Sequence, residues 1–197
     1  MRVWLLTTTT YANWLPGDSR GSVASVRDRR DGESESTTRE EHDLPGEPYD
    51  VGIAGLWLSA AESAGEPVHF ALGHAEVAAA QFRATAAYRG WDLLALAVLF
   101  NHVHLVVRVE GDPEPRTLLA DFKAYASRAL NAAFGRQKWW TTKGSKRKLG
   151  DARAVAAGVN YVLHKQWRPL VTWPLDEPAT TGEPRASATG DRGTSSR

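Results

Sequence analysis

The chain contains no cysteine. That excludes disulfides, zinc–thiolate centres and thiol nucleophiles together, and it fits a reducing compartment. It also lacks any apolar run approaching the ~18 residues that cross a bilayer, so no membrane partner is expected. The opening "MRVWLLTTTTY" turns polar too early for a secretory signal peptide. Neither a Gly-rich phosphate loop nor a dinucleotide fingerprint occurs, so no nucleotide cofactor is expected. An overall excess of one charge is missing too: 24 Lys and Arg against 23 Asp and Glu leave +1. What is present is a 197-residue chain, 42% hydrophobic, enough for one core and one domain.

The neutral total hides a division. Arg116 to Arg168 holds 12 Lys or Arg and two acids, Asp121 and Asp151, a net +10 against −9 for the remainder. A basic block on an acidic chain fits a polyanionic partner, most simply nucleic acid, better than a solvated basic face. Trp139 and Trp140 lie inside the block, and bases stack on such rings.

Strand propensity marks residues 3–11, and turn residues follow at 13–22. Residues 27–50 are charged and poor in apolar side chains, so 27–66 is expected to be a flexible insertion with one short helix near 54–64. An alanine-rich helix follows at 73–91, punctuated by Val77, Gln81 and Ala84 and stopped by Gly90. Strands at 92–100 and 102–109 come next. A helix at 116–134 repeats Leu118, Phe122, Ala126, Ala129, Leu130 and Ala133 at helical spacing. Residues 139–149 read as a β-ribbon with a basic tip. A helix at 151–166 starts from Asp151 as N-cap, and a strand is expected at 169–173. The Gly-, Thr-, Ser- and Pro-rich stretch 174–197 reads as a disordered tail behind a single domain at 1–173. This order predicts an α+β fold, a ferredoxin-like sheet with helices packed mainly on one face.

Within "FNHVHLVV", His102 and His104 interrupt an apolar strand. Residues two apart on a strand share a face, so the two imidazoles can converge on one ion. A pair of hydrogen-bonded histidines at a sheet edge is the plainer alternative. The spacing alone does not choose the metal. A zinc hydrolase would need a third protein ligand, with His42, His69, His74 and His164 as candidates.

"NHVHL" is a histidine–hydrophobic–histidine (HUH) motif and resembles the signature of single-tyrosine HUH transposases, the insertion-sequence-200-like family with its REP-associated relatives. "DFKAYASRALN" (121–131) is similar to the helix that follows that strand, and "WW", "GS" and "YVLHKQ" (161–166) succeed it in the family's order. The resemblance covers roughly 91–166 and the first strand. It implies a ferredoxin-like core, a divalent Mg or Mn ion, and transposase or endonuclease activity that cleaves and rejoins single-stranded or hairpin DNA through a 5′-phosphotyrosine. It implies His102 and His104 as metal ligands, Tyr161 as nucleophile and Gln166 as third ligand. Five positions on an ideal helix rotate ~140° and four only ~40°, so Gln166 joins the tyrosine's side only where the helix ends before it. His164, three positions on at ~60°, is the alternative ligand. Tyr125 is the competing nucleophile. Expected DNA contacts are Lys123, Arg128, Trp139, Trp140, Lys143, Lys146, Arg147, Lys148 and Lys165. The resemblance leaves a homodimer open and implies a cytoplasmic, nucleoid-associated protein. A transposase-derived protein that binds single-stranded nucleic acid without cutting it, and the zinc hydrolase, stand as alternatives.

Overall fold

A computed structural model describes residues 1–15, the backbone of 26–29 and 38–41, and 58–174 apart from 59 and 63. Its elements are β1 (Arg2–Thr9), β2 (Val26–Arg29), β3 (Thr38–Glu41), α1 (Leu72–Arg89), β4 (Asp92–Val98), β5 (His102–Val109), α2 (Pro115–Phe134), β6 (Ser145–Leu149), α3 (Ala152–His164) and β7 (Val171–Trp173). Five strands form one antiparallel sheet in the order β6-β1-β5-β4-β7. Leaving out the edge strand β7, the succession β1-α1-β4-β5-α2-β6 with this spatial order is the expected ferredoxin-like arrangement.

Alternation along the strands builds two apolar layers. Trp4 and Leu6 of β1 and Val103, Leu105 and Val107 of β5 face α1 and α2. Val3, Leu5 and Val106 point the other way and join Leu149 and Val162 under α3. Among the described elements, α1 and α2 therefore share one face, and α3 covers the other. In α1 the buried side is Ala75, Ala78, Ala79, Phe82, Thr85 and Ala86. These small residues let the helix approach α2 closely enough for the Phe82 and Phe122 rings to meet edge to face at 5.8 Å. Of the residues that punctuate the alanine run, Val77 packs against this core, Gln81 is half-buried and Ala84 is exposed. Gly90, at φ +67°, ends α1 in the left-handed conformation that glycine adopts without steric cost.

Two further expectations change. Residues 139–149 are not a self-paired ribbon. Trp140 bridges to Thr10, and β6 pairs with the free edge of β1, from Val3 with Leu149 to Thr7 with Ser145. Gly144 is required there, since a Cβ would lie 2.5 Å from the Thr7 carbonyl oxygen and 2.6 Å from Leu119. Within the stretch expected to be flexible, β2 and β3 pair antiparallel. The rest of 27–57 and the tail from 175 lie outside the described residues, and of the helix near 54–64, residues 58, 60–62 and 64 are helical. Among the described residues, no helix is long and apolar enough to cross a membrane.

Candidate active site

The β1–β5 register aligns Thr7 with His104 and Thr9 with His102. All four are on the α3 side of the sheet, with the two imidazole centroids 4.8 Å apart and their planes at 83°. His104 is 6% exposed. Burial, reinforced by the neighbouring His102, pushes its pKa down from 6.5 to about 3, so the ring stays neutral. A neutral imidazole is the form that binds a metal.

Each ring is held from behind. His102 Nδ1 lies 2.6 Å from Asn101 Oδ1. An amide oxygen only accepts, so Nδ1 donates and Nε2 carries the lone pair. His104 Nδ1 lies 2.8 Å from the Thr7 hydroxyl. These are the partners that fix a ligand's tautomer and ring plane.

α3 completes the group. Asp151 accepts a 2.7 Å hydrogen bond from the Ala154 amide and so caps the helix, as its sequence position predicts. The last helical residue is His164. Gln166 therefore lies past the helix, which removes the ~140° mismatch expected of an unbroken one. Its Nε2 donates to the Tyr161 carbonyl at 2.9 Å. Gln166 also hydrogen-bonds His104, which opposes the lowering of its pKa by burial. Tyr161 is 43% exposed, with its ring centroid 5.4 Å from that of His104. Two imidazoles and the Gln166 side chain thus lie beside an open phenol, and imidazole nitrogen with amide oxygen is a donor chemistry that fits a divalent cation.

Other candidates are elsewhere. His164 is exposed and makes no described contact with the pair. His69 bonds Asn13 at 2.7 Å, and His74 accepts from the Ala71 amide at the start of α1. His42 lies outside the described residues. Among the described residues, no three His, Asp or Glu side chains gather as a zinc hydrolase would require. Tyr125 sits on α2, across the sheet, near Tyr88 and beneath the Arg128 guanidinium 4.3 Å from its ring.

The basic block is divided. Trp139 and Trp140 are core residues, 1% and 5% exposed, so neither ring offers a face to a base. Asn131 accepts a 2.8 Å hydrogen bond from the Trp139 indole, which makes its burial affordable. The Lys123 ammonium donates to the carbonyls of Thr141, Thr142 and Lys143, clamping that loop rather than facing solvent. Lys146 is 5% exposed. With Arg116, Lys123 and Lys143 it lines a cleft of roughly 310 Å³ on the α1–α2 side. Burial pushes both Lys123 and Lys146 down from 10.5 to about 8; each also feels a neighbouring cation, Lys146 for Lys123 and Arg116 for Lys146. Arg147, paired with Leu5, lies on the α3 side, whereas Lys148, paired with Trp4, lies on the other. Lys165 is the exposed C-cap of α3, with its amide bonded to the Tyr161 carbonyl at 3.2 Å.

Thr7 and the Gln166–Tyr161 bond are invisible before folding, because cross-strand register and the end of α3 create them. No protein-family model matches the chain, and no curated protein does. Among solved structures, a REP-associated tyrosine transposase bound to a REP hairpin is similar over 82% of this chain, at a TM-score of 0.43 and 11% identity. The chain spans 64% of the length of that protein.

Proposed function

We propose that the chain is a metal-dependent, single-tyrosine nuclease and strand-transferase of single-stranded DNA, of the HUH transposase type. The observation that carries this reading is the His102–His104 pair beside the exposed Tyr161, with Gln166 bonded to the Tyr161 carbonyl. His102, His104 and Gln166 would hold a Mg or Mn ion, which supplies Lewis-acid polarisation of a phosphate oxygen.

The chain's own groups do the rest. The Tyr161 oxygen loses its proton to solvent and attacks the scissile phosphorus. A phosphotyrosine ester forms at the 5′ end, and the O3′–P bond breaks. O3′ takes up a proton and leaves as a 3′ hydroxyl. Attack by a 3′ hydroxyl reverses these steps without an external energy source, because the ester conserves the bond energy. A free phenol with a pKa near ~10 is a weak nucleophile, so the polarised phosphate is essential. Lys165 and Arg147 are among the basic residues on this side of the sheet and would hold flanking phosphates. In this reading Tyr161 acts at the metal site of its own chain.

The test is incubation with labelled single-stranded hairpin DNA and Mn, followed by a denaturing gel and mass spectrometry of any adduct. Tyr161→Phe keeps the ring and removes the attacking oxygen, so the adduct should vanish. Tyr125→Phe should leave it intact. An adduct that persists in Tyr161→Phe sinks the assignment. No adduct from the wild-type chain, with DNA binding preserved, favours a binding protein that does not cut.

A further inference from the structure

Trp167 directly follows Gln166 and is 75% exposed, with Tyr88 next among the large aromatics of the described residues at 74%. It is also held in place. Gln166 bonds the Tyr161 carbonyl on one side of it, and the Leu170 amide donates to the Val98 carbonyl at 2.8 Å on the other. Arg168 adopts φ +50°, a conformation that side-chain-bearing residues rarely take. Its guanidinium lies 4.8 Å from the centre of the Trp167 ring. The Leu170–Val98 bond ties this segment to the end of the sheet where the β4–β5 turn carries Phe100, 46% exposed and two residues before His102. An indole presents a flat apolar face, and this one, six residues after Tyr161, is open to stack on a flat partner.

We infer that Trp167 is a stacking platform for an unpaired nucleobase of the strand held at the candidate active site, with Arg168 as its cationic partner. The inference rests on the proposed reading of that site as one for single-stranded DNA. Three features favour a nucleobase over an apolar protein surface. The ring is flat and three-quarters exposed. Its neighbours in sequence, Lys165 and Arg168, are cations that suit a phosphodiester. A guanidinium over one ring face strengthens a cation–π arrangement and leaves the other face for a base.

Fluorescence anisotropy with a labelled single-stranded oligodeoxyadenylate tests this in the full chain, on a Tyr161→Phe background so that no cleavage intervenes. Trp167→Ala should weaken binding roughly 5- to 150-fold, the range that one base–aromatic stack commands. Trp167→Phe retains a ring and should recover most of the affinity. Binding should also quench indole emission in the parent chain, and that quenching should shrink in Trp167→Phe. Equal affinities for the alanine variant and the parent overturn the platform, as do equal losses for the alanine and phenylalanine variants. Failure of the parent chain itself to bind single-stranded DNA overturns the reading of the whole site, a different result. An unchanged melting temperature for both variants is expected from the exposure of Trp167, and it separates lost stacking from lost folding.

Discussion

At the residue scale, the candidate site depends on single hydrogen bonds that orient larger groups. Thr7 meets His104 only through one 2.8 Å contact. Replacing it with valine keeps the shape and removes the hydroxyl, so His104 loses the partner that fixes its ring. Thr7→Val should weaken Mn binding about 10- to 100-fold by calorimetry, and Thr7→Ser should restore it. Unchanged Mn affinity in Thr7→Val would show that neighbouring side chains alone hold the ring. The histidines are expected to separate catalysis from binding. His102→Ala or His104→Ala should abolish metal-dependent cleavage while DNA affinity changes little, because the phosphate-binding cations are other residues. Affinity that falls as steeply as cleavage, in a folded variant, would count against that division.

At the scale of elements, the sequence reveals what is periodic and hides what depends on register. β5 was readable to its ends, α2 within a residue, and the cap of α3 at Asp151, because apolar spacing and local hydrogen bonding are sequence-local properties. The edge strand β6 was legible as β structure within 139–149, but its partner was not: it pairs with the open edge of β1 rather than within its own ribbon. The same pairing sends Lys146 into the α1–α2 side, where the composition alone suggested a DNA contact. That burial has a pH signature. The folded chain holds the Lys146 proton only up to about pH 8, whereas an unfolded chain keeps it to the ordinary 10.5. Between those values the unfolded state binds more protons, so stability should rise with pH across this window. Lys146→Met should raise the melting temperature at neutral pH and flatten the rise, as followed by thermal melts across the same range. A steeper rise in the variant would contradict the assignment. The cap offers a simpler check: Asp151→Ala should cost about 1 kcal/mol in denaturant unfolding.

At the scale of the molecule, the charge division of the sequence becomes a division of space. Ten net positive charges between Arg116 and Arg168 read as one DNA-binding surface, but the sheet runs through the middle of them. Arg147 and Lys165 belong to the side of Tyr161. Lys146 lies across the sheet, and Lys123 is spent on three backbone carbonyls. Binding of single-stranded DNA should therefore weaken with salt, but less steeply than the full excess would dictate. Each displaced counterion contributes about −0.7 to the slope of log affinity against log salt. Arg147→Ala and Lys165→Ala should each make the slope shallower by about that amount. Lys123→Met and Lys146→Met should leave it nearly unchanged, because neither ammonium is placed to meet a phosphate at the candidate site. The comparison is a salt titration of affinity for the same oligonucleotide across the four variants. A loss of slope in Lys146→Met equal to that in Arg147→Ala would mean that the strand also occupies the cleft on the α1–α2 side. The DNA would then have to cross the β6 edge to reach Tyr161, with Lys146 and Lys148 on one face of that strand and Arg147 on the other.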